Sequence, residues 1–173
     1  MNAMNHIKKP FIYILLLPLI LIACGKNSKN DVSLTNQWGE TQSLSVATDW
    51  AGVDFVEPPA TIALEDGQDV ELTTYRYATG IVEALYAGEG YELRIRRSDT
   101  YQGSELAEDP SSYLKTWDAE GPGIPVSCYG DGNTVNLAFF DAGGDHFTVT
   151  YNPGSEGNGL SETDLLALIT KII

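Results

Sequence analysis

Cysteine and histidine are scarce in this chain, two of each among 173 residues, and ten basic side chains stand against 24 acidic ones. Each shortage removes a class of chemistry. A structural zinc shell needs four ligands, mostly Cys and His, and past Cys24 the chain offers one of each, Cys128 and His146. Hydrolysis by a Ser/His/Asp or Cys/His arrangement needs an imidazole placed by its neighbours, and His146 falls in a predicted strand beside a turn. Too few cations remain to neutralise phosphates, so nucleic acid and anionic headgroups are excluded as direct partners. Long apolar runs are also missing. The only extended one, Phe11 to Ile22, is shorter than the roughly 20 residues a spanning helix needs.

That short run has a different use. Lys8 and Lys9 precede it, Pro18 interrupts it, and it ends in Leu21-Ile22-Ala23-Cys24, the order of a bacterial signal peptide closed by a lipobox. The pattern predicts cleavage before Cys24 and acylation of its sulfur with diacylglycerol, often with a second, amide-linked palmitate-type chain. A single chain holds a membrane only marginally, so the second makes the anchor durable. A retained membrane helix would need more apolar sequence, but Gly25 to Asp31 is polar throughout. Gly25 in place of an inner-membrane-retaining aspartate points to the cell membrane of a Gram-positive envelope, with the protein on its extracytoplasmic face. Cleavage removes two lysines and no carboxylate, taking the formal charge from −14 to −16. With Cys24 acylated, Cys128 has no partner for an intrachain disulfide.

The predicted organisation is a signal peptide at 1–23, a lipidated cysteine and flexible tether at 24–41, and one domain at 42–173. Lys26 to Ser33 is polar and aperiodic, as tethers are. Gln42 to Ala51 reads as a short helix capped by Gly52, and Val53 to Val56 alternates like a brief strand before Pro58-Pro59. Three β-rich runs follow, Val70 to Tyr77, Ile81 to Ala87 and Tyr91 to Arg97, separated by glycine turns. Tyr91, Leu93 and Ile95 alternate with Glu92, Arg94 and Arg96, so one face is apolar and one wet. From Ser98 to Gly123 the periodicity fails, with one or two helical turns expected around Tyr113, Leu114 and Trp117. A second meander comprises Ile124 to Tyr129, Thr134 to Asp141 and Asp145 to Tyr151, and its Val135 to Phe140 resembles Val82 to Tyr86 closely enough to suggest a duplicated unit. Ser161-Glu162-Thr163-Asp164 then starts a helix whose Leu165, Leu168, Ile169 and Ile172 form one stripe. The fold class expected is α+β: an antiparallel sheet of about six strands, packed against the C-terminal helix and a short N-terminal one.

Candidate sites are few. Arg76, Arg94, Arg96 and Arg97 make up half the basic residues left after cleavage. Cross-strand pairing with Glu71, Glu83 and Glu92 explains them as solvated ion pairs. The functional alternative is a site for a small anionic ligand, with Arg94 and Arg96 for bidentate recognition and Tyr75 and Tyr77 for stacking. Tyr101, Tyr113 and Trp117 in the acidic insertion form a candidate surface for another envelope protein. Cys128 shares the buried face with Val126 and reads as an inert core thiol. Gly154-Ser155-Glu156-Gly157 is one residue short of a nucleophile elbow. Calcium needs only oxygens, but Glu65 to Asp69 and Asp141 to Asp145 both depart from the spacing of a calcium loop. The expectation is therefore no catalytic residue, no metal and no cofactor.

The order of parts resembles a family of Gram-positive lipoproteins carrying a domain of unknown function. The resemblance rests on Trp50-Ala51-Gly52-Val53-Asp54-Phe55, Val82-Glu83-Ala84-Leu85-Tyr86, Leu93-Arg94-Ile95-Arg96 and Leu160-Ser161-Glu162-Thr163-Asp164-Leu165-Leu166. It implies fold and location, and brings no catalytic residues. The function expected is that of a membrane-anchored, extracytoplasmic, monomeric lipoprotein acting as a noncatalytic binding or accessory module. The alternatives are an interaction or inhibitory module working through residues 98–123 and, last, an envelope hydrolase with a carboxylate pair.

Overall fold

The computed structural model describes residues 38–64, 67, 69–88, 90–100, 110–154 and 159–173. The expected signal peptide, Cys24 and most of the expected tether lie outside the described residues. Ten strands occur among the described residues: β1 (Gly39–Thr41), β2 (Thr61–Ala63), β3 (Asp69–Ala78), β4 (Ile81–Gly88), β5 (Tyr91–Ser98), β6 (Lys115–Glu120), β7 (Pro125–Gly130), β8 (Thr134–Ala142), β9 (Asp145–Asn152) and β10 (Leu160–Ser161). Two α-helices of the described residues join them, α1 (Leu44–Ala51) and α2 (Glu162–Ile172).

Eight strands lie in the order β1-β3-β4-β5-β9-β8-β7-β6, every pairing antiparallel, with β2 adding to β3 and β10 to β8. The meanders β3-β4-β5 and β7-β8-β9 therefore occupy the two halves of one sheet and meet through their last strands, β5 and β9. The expected antiparallel sheet is present, but about six strands was too few. Three of the additional four, β1, β2 and β10, are two or three residues long, below the length at which alternation can be read. The fourth, β6, runs through the place expected to be helical: only Pro110–Ser112 form a helical turn, and Trp117 sits in a strand. The strand expected at Val53 to Val56 is also absent. Its alternation is real, since Val53 and Phe55 are buried and Asp54 and Val56 exposed, but its backbone joins no ladder.

Register assigns the faces. Tyr75, Ala84, Ile95, Val149, Ala138 and Cys128 lie opposite one another across successive strands, and all belong to one buried cluster with Ala47 and Ala51 of α1 and the Leu165, Leu168, Ile169 and Ile172 stripe of α2. Both helices thus cover the same face. Each starts as its sequence requires: the Ser43 hydroxyl accepts from the Val46 N–H, and that of Ser161 from the Asp164 N–H at 3.0 Å. Gly52 ends α1 at φ 71°, in the left-handed region, and donates to the Thr48 carbonyl.

The second face carries the row Arg76, Glu83, Arg96, Thr148 and Phe139. It is only partly wet, because Glu83 and Leu137 have no exposed surface. Trp38 lies over the Arg76 and Arg96 guanidiniums at 4.9 and 5.3 Å. Tyr113 approaches Tyr129, which meets Phe139 edge-on with ring centres 5.6 Å apart.

Candidate ligand cleft

The first turn of α1, the extended segment 53–57 and strands β3 and β5 surround an open cleft of about 810 Å³. Segment 53–57, between the αL turn at Gly52 and Pro58-Pro59, joins no ladder, and its residues Asp54 to Glu57 wall the opening. Leu44, Phe55, Val56 and Leu72 supply apolar surface, and Ser43, Ser45, Thr48 and Tyr75 supply hydroxyls. Most of these hydroxyls are already engaged. Ser43 and Ser45 share a hydrogen bond of 3.0 Å, and Thr48 donates to the carbonyls of Leu44 and Ser45.

Tyr75 differs. The residue is 4% exposed, yet among the described residues its hydroxyl has no hydrogen-bond partner, and it lines the cleft. Burial, and then the nearby Glu57 carboxylate, push its pKa above the ordinary phenol value. Its neighbour Tyr86 is by contrast satisfied, donating to the Pro59 carbonyl at 2.7 Å. Arg97 forms part of the cleft wall but is spoken for. Its Nη1 donates to the Asp54 carbonyl, its Nη2 pairs with the Asp145 carboxylate, and the Phe147 ring lies 5.8 Å away. The Asp54 and Glu57 carboxylates are exposed and take part in no ion pair among the described residues. With Arg97 neutralised by Asp145, the lining carries an excess of two negative charges.

The four residues proposed as one anion site do not come together. Tyr75 and Tyr77 face the helices. Arg94 and Arg96 face the other side, because they sit in register with Thr74 and Arg76. The arginines are also occupied: Arg76 and Arg96 hold Glu83, Arg76 also reaches Glu40 at 3.6 Å, Arg94 pairs with Glu92, and Arg97 pairs with Asp145. The ion-pair reading of this cluster is the one realised, with Glu40 in the place expected of Glu71. Tyr77 packs across Gly39, where a Cβ would come within 2.2 Å of its ring, and stacks on exposed Trp50 with ring centres 6.3 Å apart.

The suggested interaction patch is divided as well. Tyr101 lies outside the described residues. Tyr113 packs on the second face beside Tyr129, while Trp117 sits in register with Cys128 on the helix side and donates to Glu162 at 3.0 Å. Cys128 is fully buried, and burial together with the Glu162 charge lifts its thiol to about 11. His146 meets Asp141 at 2.7 Å on the β8–β9 hairpin. The carboxylates of that turn are thus taken, Asp141 by His146 and Asp145 by Arg97, and among the described residues no three His, Cys, Asp or Glu side chains gather as metal ligands. Ser155 to Asn158, and residues 65, 66 and 68 of the other acidic turn, lie outside the described residues.

Sequence reasoning placed Tyr75 among candidate ligand residues but missed Asp54, Glu57 and the cleft between them. The available signal was the Val53 to Val56 alternation next to two prolines, which marks an extended segment unable to pair. Among the described residues no helix is long and apolar enough to cross a membrane. Comparisons with protein-family models, curated proteins and solved structures returned no match.

Proposed function

We propose that this chain is a lipoprotein anchored through acylated Cys24 on the extracytoplasmic face of the cell membrane, and that its folded part is a noncatalytic module binding a small ligand in the α1 cleft. The observation carrying the binding role is a cleft large enough for an organic molecule, lined by Tyr75, whose hydroxyl has no hydrogen-bond partner among the described residues. The noncatalytic reading is supported by the buried, hard-to-ionise Cys128 and by the engagement of His146 with an exposed carboxylate on a hairpin turn. Anchoring is supported by the lipobox order ending at Cys24 and by the polar stretch after it.

Two variants of the full chain test the halves of this reading. Cys24→Ala should remove the lipid mass from the N-terminal peptide and release the protein from membranes. An unmodified, uncleaved N-terminus in the unaltered chain would overturn the anchoring. Ser45→Trp, which projects an indole from α1 into the cleft, should abolish retention of whatever small molecule co-purifies with the unaltered chain from its native membrane. Retention unchanged by that substitution would place binding elsewhere.

A further inference from the structure

We infer that the cleft is selective for an organic cation: a protonated amine on a short apolar body, with the ammonium held between Asp54 and Glu57 and the body lying against Leu44, Phe55 and Leu72. This inference rests on the cleft being a binding site and names the ligand class it takes. Three observations combine. The carboxylates of Asp54 and Glu57 are the lining charges without ion-pair partners among the described residues, and they flank Phe55-Val56 at the rim. The single cation of the lining, Arg97, donates to the Asp54 carbonyl and pairs with Asp145, which leaves an anion no free guanidinium to meet. Tyr75, 4% exposed and lining the same cleft, has a hydroxyl without a hydrogen-bond partner among the described residues, which can accept from an ammonium hydrogen or donate to a neighbouring oxygen.

The wider charge points the same way. The formal net charge of −14 deepens to −16 on loss of Lys8 and Lys9, so cations are drawn toward the surface and anions repelled before contact. Within the cleft, an ammonium trades water for two carboxylates and a phenol oxygen, bonds to charged groups that are stronger than neutral ones.

A charge series with one apolar body separates the ligand class from the site. n-Butylammonium, n-butanol and n-butyrate are titrated into the isotopically labelled full chain in neutral-detergent micelles, with backbone amide shifts as the readout. The inference expects n-butylammonium to move the amides of 43–48 and 54–57 saturably, more weakly as salt rises, with the other two probes binding at least about tenfold less tightly. The double variant Asp54→Asn/Glu57→Gln should lose about tenfold or more in affinity, and Tyr75→Phe about two- to tenfold. All three substitutions are near-isosteric, and the two carboxylates sit at the surface, so the amide spectrum itself reports that the fold is kept. Equal or tighter binding of n-butanol or n-butyrate at the same amides overturns the cation class and leaves the cleft standing. So does n-butylammonium binding that the double variant does not weaken. No shift of these amides with any probe overturns both the ligand class and the cleft.

Discussion

A carboxylate with no exposed surface survives in this sheet because two guanidiniums take its two oxygens. Arg76 Nη1 donates to Glu83 Oε1 at 3.0 Å and Arg96 Nε to Oε2 at 2.8 Å, with the Trp38 ring over both cations. Removing one member of such a group strands the others in a poor solvent for charge, typically costing about 3–5 kcal/mol. Glu83→Ala should therefore lower unfolding stability by about that amount, read as a shift of the urea midpoint at unchanged slope; an unmoved midpoint would mean that water already screens the cluster. The same geometry fixes what a charge reversal at Arg96 would report. It would place a second carboxylate beside Glu83, and so act on stability before it could act on any ligand.

At the level of elements, α2 carries the clearest burden. Leu165, Leu168, Ile169 and Ile172 are all buried in the one apolar core, where the helix lies beside β8 and β10. Ile169→Ala should cost about 2–5 kcal/mol through lost burial and the cavity left behind, measured by denaturant unfolding; a cost under about 1 kcal/mol would mean that neighbouring side chains collapse into the gap. This helix, both meanders and α1 were legible because each meander strand spans six or more residues, the α2 stripe runs from Leu165 to Ile172, and Ser161 and Gly52 mark a helix start and a helix end. Where the period was short or mixed, reading failed. Tyr113, Leu114 and Trp117 have helical spacing but belong to a turn and a strand, with Leu114 86% exposed, because β6 gains its order from backbone pairing with β7 and not from its own pattern. The site was legible in part. Tyr75 was singled out by type. Its separation from Arg94 and Arg96 depended on register, which one residue's slip inverts, and on a bulge between Leu72 and Thr74 that the composition does not announce.

Across the whole molecule the chain divides cleanly. Every strand up to Ser98 lies on one side of the β5–β9 seam, and every strand from Lys115 onward lies on the other. Each side owns a meander and a helix, and the two share a seven-residue register from Glu92 opposite Asn152 to Ser98 opposite His146. The partition also locates the cleft, since α1, segment 53–57, β3 and β5 all come from the first side. Severing the backbone between residues 98 and 110 cuts none of the strands formed by the described residues and separates no two consecutive strands that pair with each other. Segments 1–104 and 105–173 made as separate polypeptides should therefore find one another and restore the β5–β9 ladder, with co-purification and recovery of the intact chain's amide spectrum as the measure. Failure to associate would show that covalent continuity supplies more than the seam does. The domain is in this sense already two complementary pieces written on one strand of code, and the piece that holds the cleft could be exchanged or redesigned while its partner is left untouched.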